Sequence, residues 1–291
     1  MRIAFIGLGV MGEPMCRNLA LNSGAQVSGF DRDPAPLARL ASAGVLATYT
    51  LSDAVRGADV VFLSLPSGEG VEALAHAPDG LLACVERGQT VIDTGTSPVD
   101  LTRTLAQEFS ARGTIFIDAP VARTRAAAEA GTLSVMVGAT AEVFERIRPL
   151  LACIATEITH CGGVGCGQVV KIMNNMVLFE TVAALAEAKA IASRAGVDPK
   201  VLFETLSRGS ADSFALRNHG MKAMLSGEFP LRAFSVDYAR KDLRYALKLA
   251  QETGVDAAGA RMVEAYFERA RTAGFSEQYW PVIERVIAEH D

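Results

Sequence analysis

A short apolar run ending at Ile6 leads into Gly7-Leu8-Gly9-Val10-Met11-Gly12, and a helix-like pattern follows at once. No other feature narrows the fold of the first half of the chain as much. In such a turn the first glycine permits a tight bend and the second lets backbone approach a pyrophosphate. The third lets helix pack on strand, and the helix N-terminus offers N–H donors to the anion. The spacing alone is a weak signal, as consistent with a plain turn. Its context strengthens it, because a second candidate strand ends at Asp31, nineteen positions past Gly12, where a carboxylate would accept from ribose hydroxyls. The reading is a dinucleotide site built from Gly7, Gly9, Val10, Met11, Gly12 and Asp31. An anionic Asp31 repels a 2′-phosphate, so NAD(H) is preferred. Arg32 keeps NADP(H) possible, since a guanidinium there could neutralise Asp31 or clamp a phosphate; otherwise it is a solvated loop charge.

Candidate strands at 2–6, 26–30, 60–64, 90–93, 115–118 and 134–138 alternate with amphipathic stretches at 12–22, 34–43, 51–56, 71–75, 98–112 and 141–151. That alternation is the pattern of a parallel sheet wrapped by helices. A barrel would need eight repeats, but the alternation stops near the glycine cluster at 160–167. Beyond it the period is helical, with helices expected at 168–195, 199–208, 212–225, 235–253, 255–272 and 278–289. Gly196 reads as a helix stop and Val197-Asp198-Pro199 as the opening of the next helix. The expected fold class is α/β: an N-terminal Rossmann-like doubly wound sheet for NAD over 1–163, then an all-α domain over 164–291 for substrate and oligomerisation. A long interdomain helix begins the second domain, and a length of 291 residues suits two domains.

Half the residues are hydrophobic, the net charge is −5 and no Lys/Arg block stands out, so nucleic acid is not an expected partner. The N-terminal apolar run breaks at glycine too soon for a secretory segment, and no run of about 18 uninterrupted apolar residues exists. These features predict a soluble cytoplasmic protein with no membrane partner. Cys16, Cys84, Cys153, Cys161 and Cys166 form no CxxC and lie at no metal-ligand spacing, which predicts buried thiols and no metal. Cys161 and Cys166 flank a glycine turn and could touch a site.

Hydride transfer to or from an alcohol needs a proton acceptor beside the hydroxyl. His76, His160, His219 and His290 lie in ordinary surroundings and read as surface or structural residues. Lys171 is the better candidate, because Lys171, Asn174 and Asn175 share one face of an otherwise apolar helix at i, i+3 and i+4. A solvated stripe would carry charges over several turns, whereas this one is confined to about one. An ammonium on a buried helix needs a polar cavity, and desolvation would move it toward neutrality as an acid–base. Arg123 and Thr124 follow a candidate strand at the end where doubly wound folds hold ligands, and could grip an anionic head group; read alone they fit surface residues opening a helix.

These motifs in this order resemble the β-hydroxyacid dehydrogenase family, which includes 3-hydroxyisobutyrate, tartronate semialdehyde and γ-hydroxybutyrate enzymes and is related to 6-phosphogluconate dehydrogenase. The resemblance rests on the N-terminal glycine turn, Asp118-Ala119-Pro120-Val121 with Gly131-Thr132-Leu133, Gly165-Cys166-Gly167 through Asn175, and Phe234 with Lys241-Asp242-Leu243. It implies a Rossmann domain and a helical domain, catalysis by Lys171, cofactor contacts from Leu65, Pro66 and Thr96, and Lys241 closing over the nicotinamide side. Lys171 and Asn175 would hold the substrate. Two departures from the family stand out. Ala122-Arg123-Thr124 replaces the usual Ser-Gly-Gly, and Gly95 stands where Ser is common. The Arg-Thr pair looks like the sulfolactaldehyde reductase branch, so a sulfonated aldehyde is the alternative substrate.

The leading expectation is an NAD-dependent dehydrogenase or reductase for a small anionic β- or γ-hydroxy acid or its semialdehyde, assembled as a homodimer or homotetramer. A non-catalytic NAD(P)-binding sensor and an imine reductase are the rivals, and the presence of Lys171 disfavours both.

Overall fold

The computed structural model describes residues 1–231 and 233–288. The chain divides into two compact units, Met1–Lys171 and Ile172–Asp291.

In the first unit the strands are β1 (Arg2–Ile6), β2 (Gln26–Phe30), β3 (Leu46–Ala47), β4 (Val60–Leu63), β5 (Thr90–Asp93), β6 (Ile115–Asp118), β7 (Val121–Ala122), β8 (Leu133–Gly138) and β9 (Ala155–Gly162). Between them run α1 (Gly12–Asn22), α2 (Ala35–Leu40), α3 (Leu51–Val55), α4 (Gly68–His76), α5 (Leu81–Cys84), α6 (Val99–Ala111), α7 (Arg125–Glu129) and α8 (Ala141–Leu151). Among the described residues the sheet order is β3-β2-β1-β4-β5-β6-β8-β7, with β9 paired to β8. From β3 to β6 every pairing is parallel, while β8 runs antiparallel to β6 and β7.

The sheet forms because alternate residues of its central strands meet two separate cores. Ile3 and Phe5 of β1, with Val60 and Phe62 of β4, face one core; Ala4, Ile6, Val61 and Leu63 face the other. The Phe5 and Phe62 rings, paired in register, stack at 5.8 Å. Hydroxyl caps fix several helix starts, Thr50 accepting from Asp53, Ser67 from Gly70 and Thr140 from Val143.

The sequence pattern missed β3, β7 and β9. The first two are too short for any periodicity. The third is a sheet-edge strand whose Thr156, Glu157 and Thr159 are exposed, so it shows no apolar run. Consequently residues 160–162, expected within a glycine turn, extend the sheet, with Gly138 opposite Gly162.

The long helix α9 (Cys166–Arg194) contributes to both units. After it come α10 (Pro199–Leu206), a π-helix (Leu216–Met224), α11 (Val236–Thr253), α12 (Ala258–Thr272), a 3-10 turn (Trp280–Val282) and α13 (Ile283–Ala288). Gly196, at φ +89°, stops the run before α10, and Asp198 caps Lys200 with Pro199 at the first turn. Where an α-helix was expected over 212–225 the backbone is π-helical, and it turns Leu216, His219, Gly220, Ala223 and Met224 inward. The helix expected over 278–289 starts later, as the 3-10 turn at Trp280 that leads into α13, because Gln278 and Tyr279 form β-bridges, and residue 289 lies outside the described residues.

The second unit is packed on Phe179, whose ring meets those of Phe267 at 5.5 Å and Trp280 at 4.9 Å, both edge-on. By length and composition α9 is apolar enough to cross a membrane, but its Phe179, Val182, Ala183 and Ala186 belong to this core.

Candidate functional site

The three glycines of the N-terminal turn are required for three different reasons. Gly7 sits at φ +90°, and a Cβ there would lie 2.3 Å from the Ser64 carbonyl oxygen. Gly12 packs α1 on the turn, where a Cβ would lie 2.0 Å from the Gly7 oxygen. Gly9 has nothing within 4 Å of its Cβ position, so the fold makes no demand there. Open space at the middle glycine, next to the start of α1, fits the close approach of a pyrophosphate. Val10 is exposed, and Met11, the residue before α1, makes no side-chain cap.

This turn and the segment after β4 lie side by side where the strand order reverses between β1 and β4, the switch point at which such sheets hold ligands. Leu65 is half-buried and Pro66 exposed in that segment. At the end of β2, Asp31 accepts the Leu8 and Asp33 N–H groups, so it also ties the glycine turn to its neighbouring strand. Arg32 is exposed beside it.

A buried polar cluster follows β5 and β6. Asp93 Oδ1 accepts the Gly95 N–H at 2.9 Å and its Oδ2 the Ser97 hydroxyl at 2.8 Å. Thr96, between them, is buried. At Gly95 a Cβ would stand 3.0 Å from the Leu65 oxygen and 3.1 Å from Asp93 Oδ1, so glycine eases a tight bend. Gln168 of α9 joins this loop, its Oε1 taking the Ser97 N–H at 3.1 Å and its Nε2 reaching the Gly95 oxygen at 2.9 Å. Asp118, at the end of β6, accepts the Gly165 and Gln168 N–H groups at 2.7 and 2.8 Å. Burial pushes its carboxyl up to about 6 against the lowering effect of those backbone donors. Asp93, Asp118 and Gln168 were not singled out as site residues; their signal is only that a buried polar side chain must be satisfied, and burial is not written in the sequence.

Arg123 has φ +85°, the one non-glycine residue with positive φ among those described. Its Nη1 donates to the Thr132 oxygen at 2.6 Å and to Thr156 Oγ1 at 3.2 Å. Thr124 caps α7, its Oγ1 accepting from Ala127 at 3.4 Å. Both are exposed, and the cap is the structural role that surface residues opening a helix would have.

On α9, Lys171 is half-buried, Asn174 exposed and Asn175 buried. Within the second unit Asn174 Nδ2 donates to Asn175 Oδ1 at 3.1 Å, and Asn175 Nδ2 donates to Asp242 Oδ2 at 2.8 Å. Asp242 Oδ1 contacts Lys241 Nζ at 2.7 Å. That Nζ is fully enclosed and lies over the Tyr238 and Tyr245 rings, 4.5 and 4.9 Å from their centroids. Lys241 is thus folded onto its own helix.

His76 pairs with Glu108 at the surface, and His160 stacks on Phe144 and bonds the Ala139 oxygen. His219 is buried against Trp280, and His290 lies outside the described residues. All five cysteines are free, but only Cys16 is buried, the other four being partly exposed at sheet edges and helix ends.

The sheet order and the glycine turn define an NAD-binding Rossmann protein followed by a helical unit. The chain matches the family model of the NAD binding domain of 6-phosphogluconate dehydrogenase over residues 2–163. The model described as NAD-binding of NADP-dependent 3-hydroxyisobutyrate dehydrogenase matches residues 165–279. It is 39% identical to 3-hydroxyisobutyrate dehydrogenase of Pseudomonas aeruginosa, over 86% of this chain and 85% of that one. With 3-sulfolactaldehyde reductase of Escherichia coli the identity is 33%, over 97% and 94%. The structure of Mycobacterium tuberculosis 3-hydroxyisobutyrate dehydrogenase with L-serine superposes at a TM-score of 0.89, with 30% identity and 99% of each chain covered. The chain belongs to the β-hydroxyacid dehydrogenase family.

Proposed function

We propose that the protein interconverts a small anionic β- or γ-hydroxy acid and its semialdehyde, with NAD(H) as the preferred cofactor and Lys171 as general acid–base. The nicotinamide, when bound, supplies or takes the hydride. Lys171 gives its proton to the carbonyl oxygen in reduction and takes it from the hydroxyl in oxidation. Gly7, Gly9, Val10, Met11 and Gly12 hold the pyrophosphate, Asp31 the ribose hydroxyls, and Leu65, Pro66 and Thr96 line the cofactor. Arg123, Thr124, Asn174 and Asn175 hold the acid group.

The observation that carries this reading is one polar cluster on α9: a half-buried lysine followed by Asn174 and by a buried Asn175 whose amide orientation is fixed by Asp242. A buried amide held this firmly is preorganised to meet one substrate oxygen. The carboxylate of Asp31 supports NAD(H) over NADP(H).

A sulfonated aldehyde is the second reading, favoured by Arg123. Its guanidinium stands in a backbone conformation that ordinarily selects glycine, and it brings a cation to the region where the family has small residues. We also infer a cytoplasmic homodimer or homotetramer, consistent with exposed Ile191, Val201 and Phe214 in the helical unit.

Oxidation of NADH should be measured with succinic, methylmalonic and tartronic semialdehydes and with sulfolactaldehyde. Turnover of at least one is expected. NADH binding without turnover of any would favour the sensor reading.

A further inference from the structure

We propose that Asp118 and Gln168 are positioning residues for Lys171, fixing the first turn of α9 on the ends of β5 and β6 so that the amine stands in register with the Thr96 loop. The proposal rests on the reading of Lys171 as the acid–base. Lysine carries its charge on a flexible four-carbon stem, so a reproducible ammonium position demands a fixed backbone beneath it. Lys171 lies three residues after Gln168 and therefore on the same side of the helix.

Both ends of the Gln168 side chain are engaged: Oε1 with the Ser97 N–H and Nε2 with the Gly95 oxygen. These two groups flank Thr96, so one side chain spans from the helix that bears Lys171 to the loop expected to touch the cofactor. Asp118 completes the anchorage from the neighbouring strand by accepting the Gly165 and Gln168 N–H groups. A helix N-terminus leaves such donors without intrahelical partners, and here a carboxylate from a strand end about fifty residues earlier in sequence takes two of them.

Steric fit removes the remaining freedom. At Gly167 a Cβ would lie 2.3 Å from the Met136 oxygen and 2.8 Å from Asp118 Oδ2, and at Gly138 one would lie 2.3 Å from Asp118 Oδ1. The turn is pressed directly onto the strands, with no side chain between, so it can neither slide nor rotate without losing these bonds. Asp93 closes the opposite side by holding Gly95 and Ser97. A helix needing only a cap would be served by one hydroxyl, as α3 and α8 are.

The test is a double-mutant cycle on the full chain. Gln168→Met keeps the volume and removes both side-chain bonds; Gln168→Glu keeps the acceptor for Ser97 and serves if the first variant does not fold. Each is made alone and with Lys171→Ala, and single-turnover NADH oxidation is followed with the fastest of the four aldehydes above. Hydrogen exchange of the cofactor-free protein is measured at the Ser97 amide. We expect Gln168→Met to speed that exchange at least about tenfold and to slow turnover by about 10- to 100-fold, the scale of a misplaced catalytic group. In the Lys171→Ala background the same change should slow turnover less than about twofold, because the residue acts through Lys171. Equal loss in both backgrounds, or unchanged exchange and turnover, would overturn the proposal alone. Undiminished turnover in Lys171→Ala by itself, or no turnover of any aldehyde by the parent protein, would overturn the reading of Lys171 and the proposal with it.

Discussion

Arg123 holds the Thr132 carbonyl oxygen through Nη1 at 2.6 Å while its own backbone lies at φ +85°. A non-glycine residue is strained in that region by roughly 1–2 kcal/mol, and such strain persists where the side chain has a use. Arg123→Gly and Arg123→Ala separate the two contributions. Both should raise KM for the acid by about 10- to 100-fold, the loss of a charge-assisted bond of ~1.5–3 kcal/mol, and leave the Kd for NADH unchanged. The glycine variant should be more stable than the alanine variant by about 1 kcal/mol. Unchanged KM in both would return Arg123 to the surface.

The glycine turn gives a second contrast. Gly12→Ala forces a Cβ into the Gly7 oxygen, so loss of the folded state or a large drop in Tm is expected. Gly9→Ala meets only open space, so Tm should be unchanged while NADH affinity falls by about tenfold or more, as a methyl intrudes on the pyrophosphate. Thermal unfolding with and without NADH checks both. A normal NADH affinity in Gly9→Ala would remove the argument for that glycine.

For Lys171→Ala we expect a fall in kcat of about 2 to 4 decades, the usual scale of general acid–base loss, with NADH affinity nearly intact. Fluorescence titration of NADH and stopped-flow turnover measure the two halves separately. A fall in affinity matching the fall in kcat would mean that Lys171 holds cofactor and does no chemistry.

Much of the first unit was legible because its strands bury both faces, as in Val60–Leu63, and announce themselves as apolar runs. The edge strand Ala155–Gly162 carries no such run, and the two-residue strands are products of tertiary pairing alone. The site divides in the same way. Gly7, Gly9 and Gly12 stand out by their spacing after an apolar run, and Lys171 because an ammonium is out of place on an apolar helix. Gln168 and Asp118 do not, since a polar residue at a helix start or a strand end looks solvated until the fold buries it. The positive φ of Arg123 is likewise a property of the turn around it. The two tyrosines that stand around Lys241 lie on its own helix, a cage that the helical spacing, read for apolar residues only, does not reveal.

His219 supplies a pH dependence confined to the second unit. Burial, helped by Lys222, holds its imidazole down at about 4, and its Nδ1 lies 2.6 Å from the Tyr279 hydroxyl, itself pushed up to about 12 by burial. A histidine depressed in the folded state binds fewer protons there than in the unfolded chain. Its contribution is therefore complete above about pH 6.5 and is lost as pH falls toward 4. The full loss amounts to about 3 kcal/mol. Asp118, raised to about 6, works with the opposite sign in the first unit, so a global probe would blur the two. Trp280, the only tryptophan in the chain, has its ring 5.1 Å from that of His219 and reports the second unit alone. Its fluorescence-detected Tm should drop between pH 7 and pH 4, and His219→Gln should flatten that drop even if it lowers Tm at pH 7. An equal drop in both proteins would show that some other group carries the acid sensitivity.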